Sequence, residues 1–148
     1  FFDGGTQSSG ADVAEAFAVE GHVSAYTAGD VLVISERTDR TVERSSLPYS
    51  TLVAGVYATK PGVLLTERGI DEDLDDQVPM GVVGVIPTKV SAENGEIRRG
   101  DLLVTSSTPA HAMKGTDRAR KVGAVLGKAR EGFRGPGTGT IRVLVGVK

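Results

Sequence analysis

The 148-residue chain contains no cysteine and no tryptophan, and aromatic residues make up only 5% of it. The absence of cysteine excludes disulfides, thiol catalysis and cysteine-ligated zinc. Charges of the two signs nearly balance, with 17 Lys and Arg against 19 Asp and Glu, so we expect no nucleic-acid partner and no anionic membrane surface. The chain has no run of about 20 apolar residues, which argues against membrane insertion. Nothing in the sequence indicates a bound cofactor.

Small and β-branched aliphatic residues are abundant instead, and glycine and proline interrupt the chain at short intervals. The segments between these interruptions are mostly four to eight residues long, which is typical of strands. We predict strands at 13–19, 31–36, 40–44, 52–58, 62–66, 80–86, 88–91, 101–105, 122–129 and 140–147. Helix is limited to short candidates at 11–17 and 109–114. The number and spacing of the strands predict an all-β fold, a compact barrel or sandwich.

One segment of the sequence is nearly repeated. Residues 29–35 (GDVLVIS) return 71 positions later as residues 100–106 (GDLLVTS). Each copy is a Gly-Asp turn followed by a short apolar strand, and each is followed by a strand of small residues, 53–56 in the first copy and 122–125 in the second. This repetition predicts a compact β fold built from two related halves.

The predicted domain organisation follows from composition. Residues 1–11 have the composition of a linker, and residues 12–148 are expected to form one β domain. Its two pseudo-repeat halves span about 21–66 and 80–148, and an acidic loop at 67–77 separates them. The first residue is not Met, so we expect this domain to be the C-terminal part of a longer polypeptide. The continuously apolar segment within the second half, around Val83, is predicted to be buried on both faces.

Two carboxylates, Asp12 and Glu15, lie three residues apart directly after the linker. In a helical turn they would share a face, and paired carboxylates can divide the roles of acid and base when their environments differ. Titratable pairs at this spacing are common and usually structural. A solvated turn that leads into the first strand is therefore the other interpretation.

Residues 12–17 (DVAEAF), the Gly-Asp strand after them and residues 53–63 (VAGVYATKPGV) resemble the C-terminal domain of bacteriophage neck-appendage and tail-fibre proteins. This family consists of intramolecular chaperones that terminate trimeric β-helical fibres, and some members cut themselves off through an Asp and a Glu in an Asp-x-x-Glu motif. Residues 87–109 resemble the C-terminal regions of large bacterial proteins with fibre-like upstream parts. Together the two resemblances cover nearly the whole chain.

The resemblance implies a structural domain that caps a fibre-like protein and joins its copies as a homotrimer. It implies contact with the upstream fibre region of the same chain, and a location outside the cell, at the cell surface or on a virion or tail-like particle. It also makes Asp12 and Glu15 the catalytic pair of a single autoproteolytic cut between Ala11 and Asp12. Because Ala11 has no hydroxyl or amide group to assist an acyl shift, we predict a version that is not cleaved.

Two alternatives remain beside the structural role. The first is the self-cleaving chaperone, which would be an enzyme for one turnover only. The second is a fibre tip that recognises a cell-surface receptor or a glycan through the loops at 67–77 and 107–118.

Three aspartates of the acidic loop, Asp71, Asp73 and Asp75, alternate as calcium ligands do. The loop lacks the glycine at position six and the glutamate at position twelve of an EF-hand. A solvated acidic loop is therefore the main interpretation, and the three aspartates are only weak calcium candidates.

The polar segment 106–114 contains serine, histidine and lysine, which suggests a Ser–Lys or Ser–His pair. No third catalytic group and no oxyanion-hole signature accompany it, so a polar loop is the simpler interpretation. His22 and His111 are far apart in sequence and do not show a metal-ligand spacing.

Overall fold

The computed structural model describes residues 13–59, 63–65 and 76–146. Its strands are β1 (Val13–Val19), β2 (Val31–Ile34), β3 (Thr41–Arg44), β4 (Val53–Tyr57), β5 (Val63–Leu65), β6 (Gln77–Ser91), β7 (Leu102–Thr105), β8 (Ala112–Lys114), β9 (Val125–Ala129) and β10 (Thr138–Val145). Helix within the described ranges is limited to a 3-10 turn, Val23–Ala25, and a single α-helical turn, α1 (Arg118–Lys121). The prediction of an all-β fold is confirmed.

The strands close into two rings that share the long strand β6. The first ring runs β1, β3, β2, β4 and back to β1 through residues 77–83 of β6. The second ring runs β8, β7, β9, β10 and back to β8 through residues 84–91 of β6. Strand β6 is thus the last strand of one ring and the first strand of the next. A closed ring leaves none of its own strands with an unpaired edge, and β5 lies outside the rings, paired in parallel with β1.

The two Gly-Asp turns have the same geometry. Gly29 and Gly100 both have left-handed backbones, with φ of +92° and +94°, which glycine adopts without steric cost. In each turn the backbone N–H three residues before the aspartate donates to its carboxylate, at 2.9 Å for Asp30 and 2.8 Å for Asp101. The aspartate therefore closes the turn and delivers the chain into β2 or β7.

The strands that follow also match, down to a shared irregularity. Leu32 of β2 lies opposite Gly55 of β4, and Leu103 of β7 lies opposite Gly127 of β9. In both pairs the register shifts directly after the leucine, as at a β-bulge. Gly55 and Gly127 thus have equivalent places beside the two bulges, and Gly127 lies outside the predicted small-residue strand 122–125, of which only Val125 is in β9.

The apolar core follows the inward faces of the strands. One cluster of buried side chains lies in the first ring and contains Leu32, Val42, Val78 and Met80. A larger cluster combines Leu103, Leu126 and Val143 of the second ring with Val31 and Val56 of the first, among others. The larger cluster therefore extends across both rings.

Strand β6 corrects two expectations. It runs unbroken for 15 residues, although the sequence predicts separate strands on either side of Pro87. The N–H of Lys89 donates to the carbonyl of Gly29, away from β10. Alternate residues of a strand donate to the same side, so an N–H at position 87 would also point away from β10. The hydrogen-bond ladder between β6 and β10 therefore loses nothing at Pro87. Val83 is 53% exposed, so the segment 80–86 is not buried on both faces.

Both helix predictions are wrong where the structure describes them. The candidate at 11–17 is extended from Val13 onward, as part of β1. The candidate at 109–114 contains a turn in which Ala110 has a φ of +66°, followed by β8. The one α-helical turn of the described part, α1, forms instead where the sequence analysis predicted no regular element, and it delays the start of β9 to Val125.

Candidate functional site

The sequence-predicted site residues fall mostly outside the described ranges. Asp12 and the calcium candidates Asp71, Asp73 and Asp75 lie there, so these assignments stay predictions. Glu15 is described: it is a half-buried residue within β1, opposite Met80 of β6. It borders a depression of about 470 Å³ together with Asp39 and Arg40, among others.

The polar segment 106–114 forms a loop with no catalytic pair. Ser106 is buried, and its hydroxyl donates to the carbonyl of His111 at 2.7 Å. The Nδ1 atom of His111 lies 2.8 Å from the carbonyl oxygen of Pro109, and the Lys114 ammonium pairs with Asp101 at 3.7 Å. Neither base approaches a serine hydroxyl, which favours the interpretation as a polar loop.

Glu93 is the group that holds this loop in place. Its carboxylate accepts hydrogen bonds from the Ser107 N–H at 3.0 Å, the Ser107 hydroxyl at 2.5 Å, the Thr108 hydroxyl at 2.7 Å and the Ser91 hydroxyl at 2.9 Å. Partial burial raises the pKa of the Glu93 carboxyl, but these hydrogen bonds outweigh it and lower the pKa to about 2. A carboxyl group with so low a pKa is a poor general base near neutral pH, so its role here is to fix the loop.

The first ring has a counterpart of this contact. Glu20, just after the end of β1, accepts a hydrogen bond from the hydroxyl of Ser35, which follows β2. Hydrogen bonds from Ser35 and Thr38 lower the pKa of Glu20, and the charge of Arg37 lowers it further. The hydroxyl residues that end the two repeated segments thus belong to loops that a glutamate holds.

The Glu93 contact predicts a specific acid sensitivity. Its pKa in the folded protein lies below that of the unfolded chain, so its stabilisation is complete above about pH 4.5 and is lost as the pH falls toward 2. We expect a loss of about 1–2 kcal/mol over that range, after allowance for solvent screening of a largely exposed group.

Urea unfolding of the wild type and of Glu93→Gln, at about pH 2.5, 3.5, 5 and 7, measures the effect. The difference in unfolding free energy between the two proteins should shrink as the pH falls. A difference that stays constant would contradict the assignment.

The loops that connect the strands of the two rings meet at Tyr49. Its backbone is left-handed, with φ of +55°, which is rare for a bulky residue. The phenol oxygen accepts the backbone N–H groups of Thr116 and Asp117, both at 3.0 Å, and the guanidinium of Arg120 lies 4.5 Å from the ring centroid. Burial raises the pKa of Tyr49, but the hydrogen bonds from Asp117 and Thr116 outweigh it and lower the pKa.

This contact is a joint between the rings. The ring of Tyr49 packs against Val104, Met113 and Ala124, and all the polar contacts above are made within the chain. Sequence analysis missed the joint because no sequence signal marks a tyrosine with a positive φ, and the partners of Tyr49 lie 67 and 68 positions away.

A different surface has features of a contact site. Where the two rings join, Val83 of β6 is 53% exposed and Leu144 of β10 is 38% exposed. Val85 lies directly opposite Leu144, and Val13 of β1 lies directly opposite Val83; both are half-buried. These four residues, which we call the apolar strip, cross β1, β6 and β10 on the outside of the sheet. Sequence analysis missed the strip because it depends on which strands are neighbours.

Other kinds of site find no support in the described ranges. No group of three or more His, Asp or Glu residues there could hold a metal ion. No helix of the described part is both long and apolar enough to cross a membrane.

No protein-family model matches the chain, and no curated protein matches it. Among solved structures, the chain is similar to the N base of the head fiber gp8.5 of bacteriophage phi29. The two share 17% sequence identity, over 90% of this chain and 93% of that chain, with a TM-score of 0.49. A likeness of this degree does not indicate a function, which we infer from the chain's own residues.

Proposed function

We propose that this chain is a structural assembly domain of a fibre-like protein, and that its copies join through the apolar strip as a homotrimer. The proposed location is the outside of a cell or a virion or tail-like particle. The likeness to a phage head fiber is compatible with this role but does not carry it. The observation that carries the proposal is the exposure of Val83 and Leu144 on two neighbouring strands, β6 and β10, at the outer surface of the sheet.

The apolar strip is unusual because the rest of β10 obeys strand alternation. Ile141, Val143 and Val145 are buried, while Thr140 and Arg142 are exposed. A polar residue at position 144 would continue the pattern, and leucine departs from it. Burial of apolar surface yields about 25 cal/mol per Å², and contiguous exposed apolar patches mark interaction sites. A second copy of the domain would remove the strip from water.

The position of the strip suits a domain that aligns fibre chains. Val13, at the start of β1, belongs to the strip. Copies that join through their strips would bring their β1 strands together around one axis. Such an arrangement sets the chains in register for assembly upstream.

Light scattering coupled to size-exclusion chromatography tests the proposal. The wild type should have three times the 15.4 kDa mass of the chain, and Val83→Asp and Leu144→Asp should each have the mass of a single chain, because a desolvated carboxylate opposes burial. Both positions are exposed, so the variants should keep the circular dichroism spectrum of the wild type.

The matched control is Val122→Asp, since Val122 is 77% exposed and lies outside the strip, directly after α1. This variant should remain trimeric. A wild type that is monomeric at micromolar concentration would overturn the proposal, and so would Val83→Asp and Leu144→Asp variants that keep the wild-type mass.

A further inference from the structure

Two arginines lie directly opposite each other on the outer face of the second ring. The pairing of Val143 with Ala129 places Arg142 of β10 opposite Arg130, whose N–H donates to the Arg142 carbonyl at 2.9 Å. Val143 and Ala129 are buried and both arginines are exposed. Opposed residues on one face of an antiparallel pair have their Cβ atoms about 5 Å apart, and like charges in that position are destabilising.

A third arginine lies at the same surface as Arg130 and Arg142. Arg99, in the Gly-Asp turn before β7, lines a depression of about 340 Å³ with Arg130, Arg142 and Glu131. Glu131 uses its Oε1 atom to accept the backbone N–H of Arg142 at 2.6 Å. The depression therefore holds three positive charges and one negative charge.

Three other described arginines have carboxylate partners, whereas Arg44, Arg118 and Arg120 form no ion pair within the described ranges and do not share a depression with one another. Arg37 pairs with Glu43 at 3.0 Å, and Arg98 and Arg134 each approach Glu96 at 3.9 Å. Arg99, Arg130 and Arg142 have no ion pair within the described ranges. Three guanidinium groups thus surround one depression without ion pairs. Their mutual repulsion lowers the stability of the fold, which indicates a ligand that supplies the missing negative charge.

We propose that Arg99, Arg130 and Arg142 bind the anionic groups, carboxylate or sulfate, of an acidic polysaccharide. Guanidinium groups bind such oxyanions through two parallel hydrogen bonds. The second oxygen of Glu131 has no partner among the described residues and can accept a sugar hydroxyl. A carboxylate among arginines thus suits a ligand that carries both anionic groups and hydroxyl donors.

The lining of the depression argues against nucleic acid. Sites for single strands add aromatic side chains on which the bases stack, and no aromatic residue lines this depression. The net charge of the chain is −2, and a chain without an excess of positive charge is a poor partner for a phosphate backbone.

Isothermal titration calorimetry with a heparin-derived hexasaccharide tests the proposal. The wild type should bind it, with an affinity that falls as salt is added. The double variant Arg130→Ala/Arg142→Ala should bind about tenfold more weakly or worse, since each charge-assisted hydrogen bond contributes a factor of that order. Arg134→Ala is the matched control, an exposed arginine that already has a carboxylate partner, and should bind as the wild type does.

Further arms identify the ligand. Inorganic sulfate should bind more weakly than the hexasaccharide, because only the sugar carries hydroxyl groups for Glu131. Glu131→Gln should bind inorganic sulfate more tightly than the wild type, since it removes a repulsive charge but keeps an acceptor for the Arg142 N–H. No hexasaccharide binding, equal binding by the double variant, or tighter binding of a single-stranded oligonucleotide of equal charge would each overturn the proposal.

The proposal is independent of self-assembly. Arg130→Ala/Arg142→Ala should keep the mass of the wild type in light scattering, and Val83→Asp should keep the affinity for the hexasaccharide. An arginine variant that dissociates would instead assign the arginines to the interface between copies and overturn the ligand site.

Discussion

Replacement of Gly127 by alanine should destabilise the protein by about 3 kcal/mol or more. A Cβ atom at this position would lie 2.1 Å from the carbonyl oxygen of Leu144 and 2.9 Å from its carbonyl carbon. Both are backbone atoms of the neighbouring strand β10, so no flexible side chain can move aside. The alanine can be accommodated only if β9 and β10 separate, which disrupts the second ring.

The repeat makes the same prediction for Gly55→Ala in the first ring. A Cβ atom there would lie 2.3 Å from the carbonyl oxygen of Gly81 in β6 and 2.8 Å from the Met80 side chain. Because part of this clash involves a flexible methionine, we expect Gly55→Ala to cost somewhat less than Gly127→Ala.

Urea unfolding measures both effects, with Gly95→Ala as control. A Cβ atom at Gly95 would have no neighbour within 4 Å, but the φ of +106° strains any other residue, at about 1–2 kcal/mol. If Gly127→Ala costs no more than Gly95→Ala, the close approach of β9 and β10 is not as described.

The sequence was sufficient to predict the fold class, because strand length and alternation are local properties. The repeated Gly-Asp segment also directs attention to the right pair of turns. What the sequence does not contain is the order of the strands. The prediction placed a break at Pro87, yet β6 continues through it and joins the two rings, because the hydrogen bonds of the ladder happen not to need that N–H.

The failed helix prediction at 109–114 has a similar cause. Ala, His, Met and Lys all tolerate helix, but the N–H of Ala110 donates to the carbonyl of Ser45, and its carbonyl accepts the N–H of Val31. Both partners lie more than 60 positions earlier in the chain. Long-range hydrogen bonds of this kind override local propensity. The same dependence on register hid the apolar strip and the opposed arginines Arg130 and Arg142.

The buried ion pair between Asp30 and Lys89 should give the second large effect. Asp30 is only 1% exposed, and its Oδ1 atom lies 2.5 Å from the Lys89 ammonium. Asp30 lies directly before β2 of the first ring, and Lys89 lies in the part of β6 that completes the second ring. The pair therefore connects the two rings directly, and its loss should weaken their joint core.

Asp30→Ala should lower the free energy of unfolding by about 3 kcal/mol, because it removes the cap of the turn and the carboxylate partner of the largely buried Lys89 ammonium, which would keep only the Thr27 hydroxyl. The repeat supplies the matched control, Asp101→Ala. Asp101 caps the second turn in the same way, but it is 24% exposed and lies 3.7 Å from the ammonium of Lys114. Removal of that more solvated pair should cost about 1 kcal/mol.

A double-mutant cycle separates the charge pair from the cap. If the ion pair contributes most of the effect, Asp30→Ala should cost about 1 kcal/mol or less in a Lys89→Met background, where no ammonium is left unpaired. Methionine keeps the apolar stem of the lysine, which lies 3.3 Å from the position of a Cβ on Gly29, so packing is preserved. If Asp30→Ala lowers the free energy of unfolding equally in both backgrounds, Asp30 stabilises the turn and not the link between the rings.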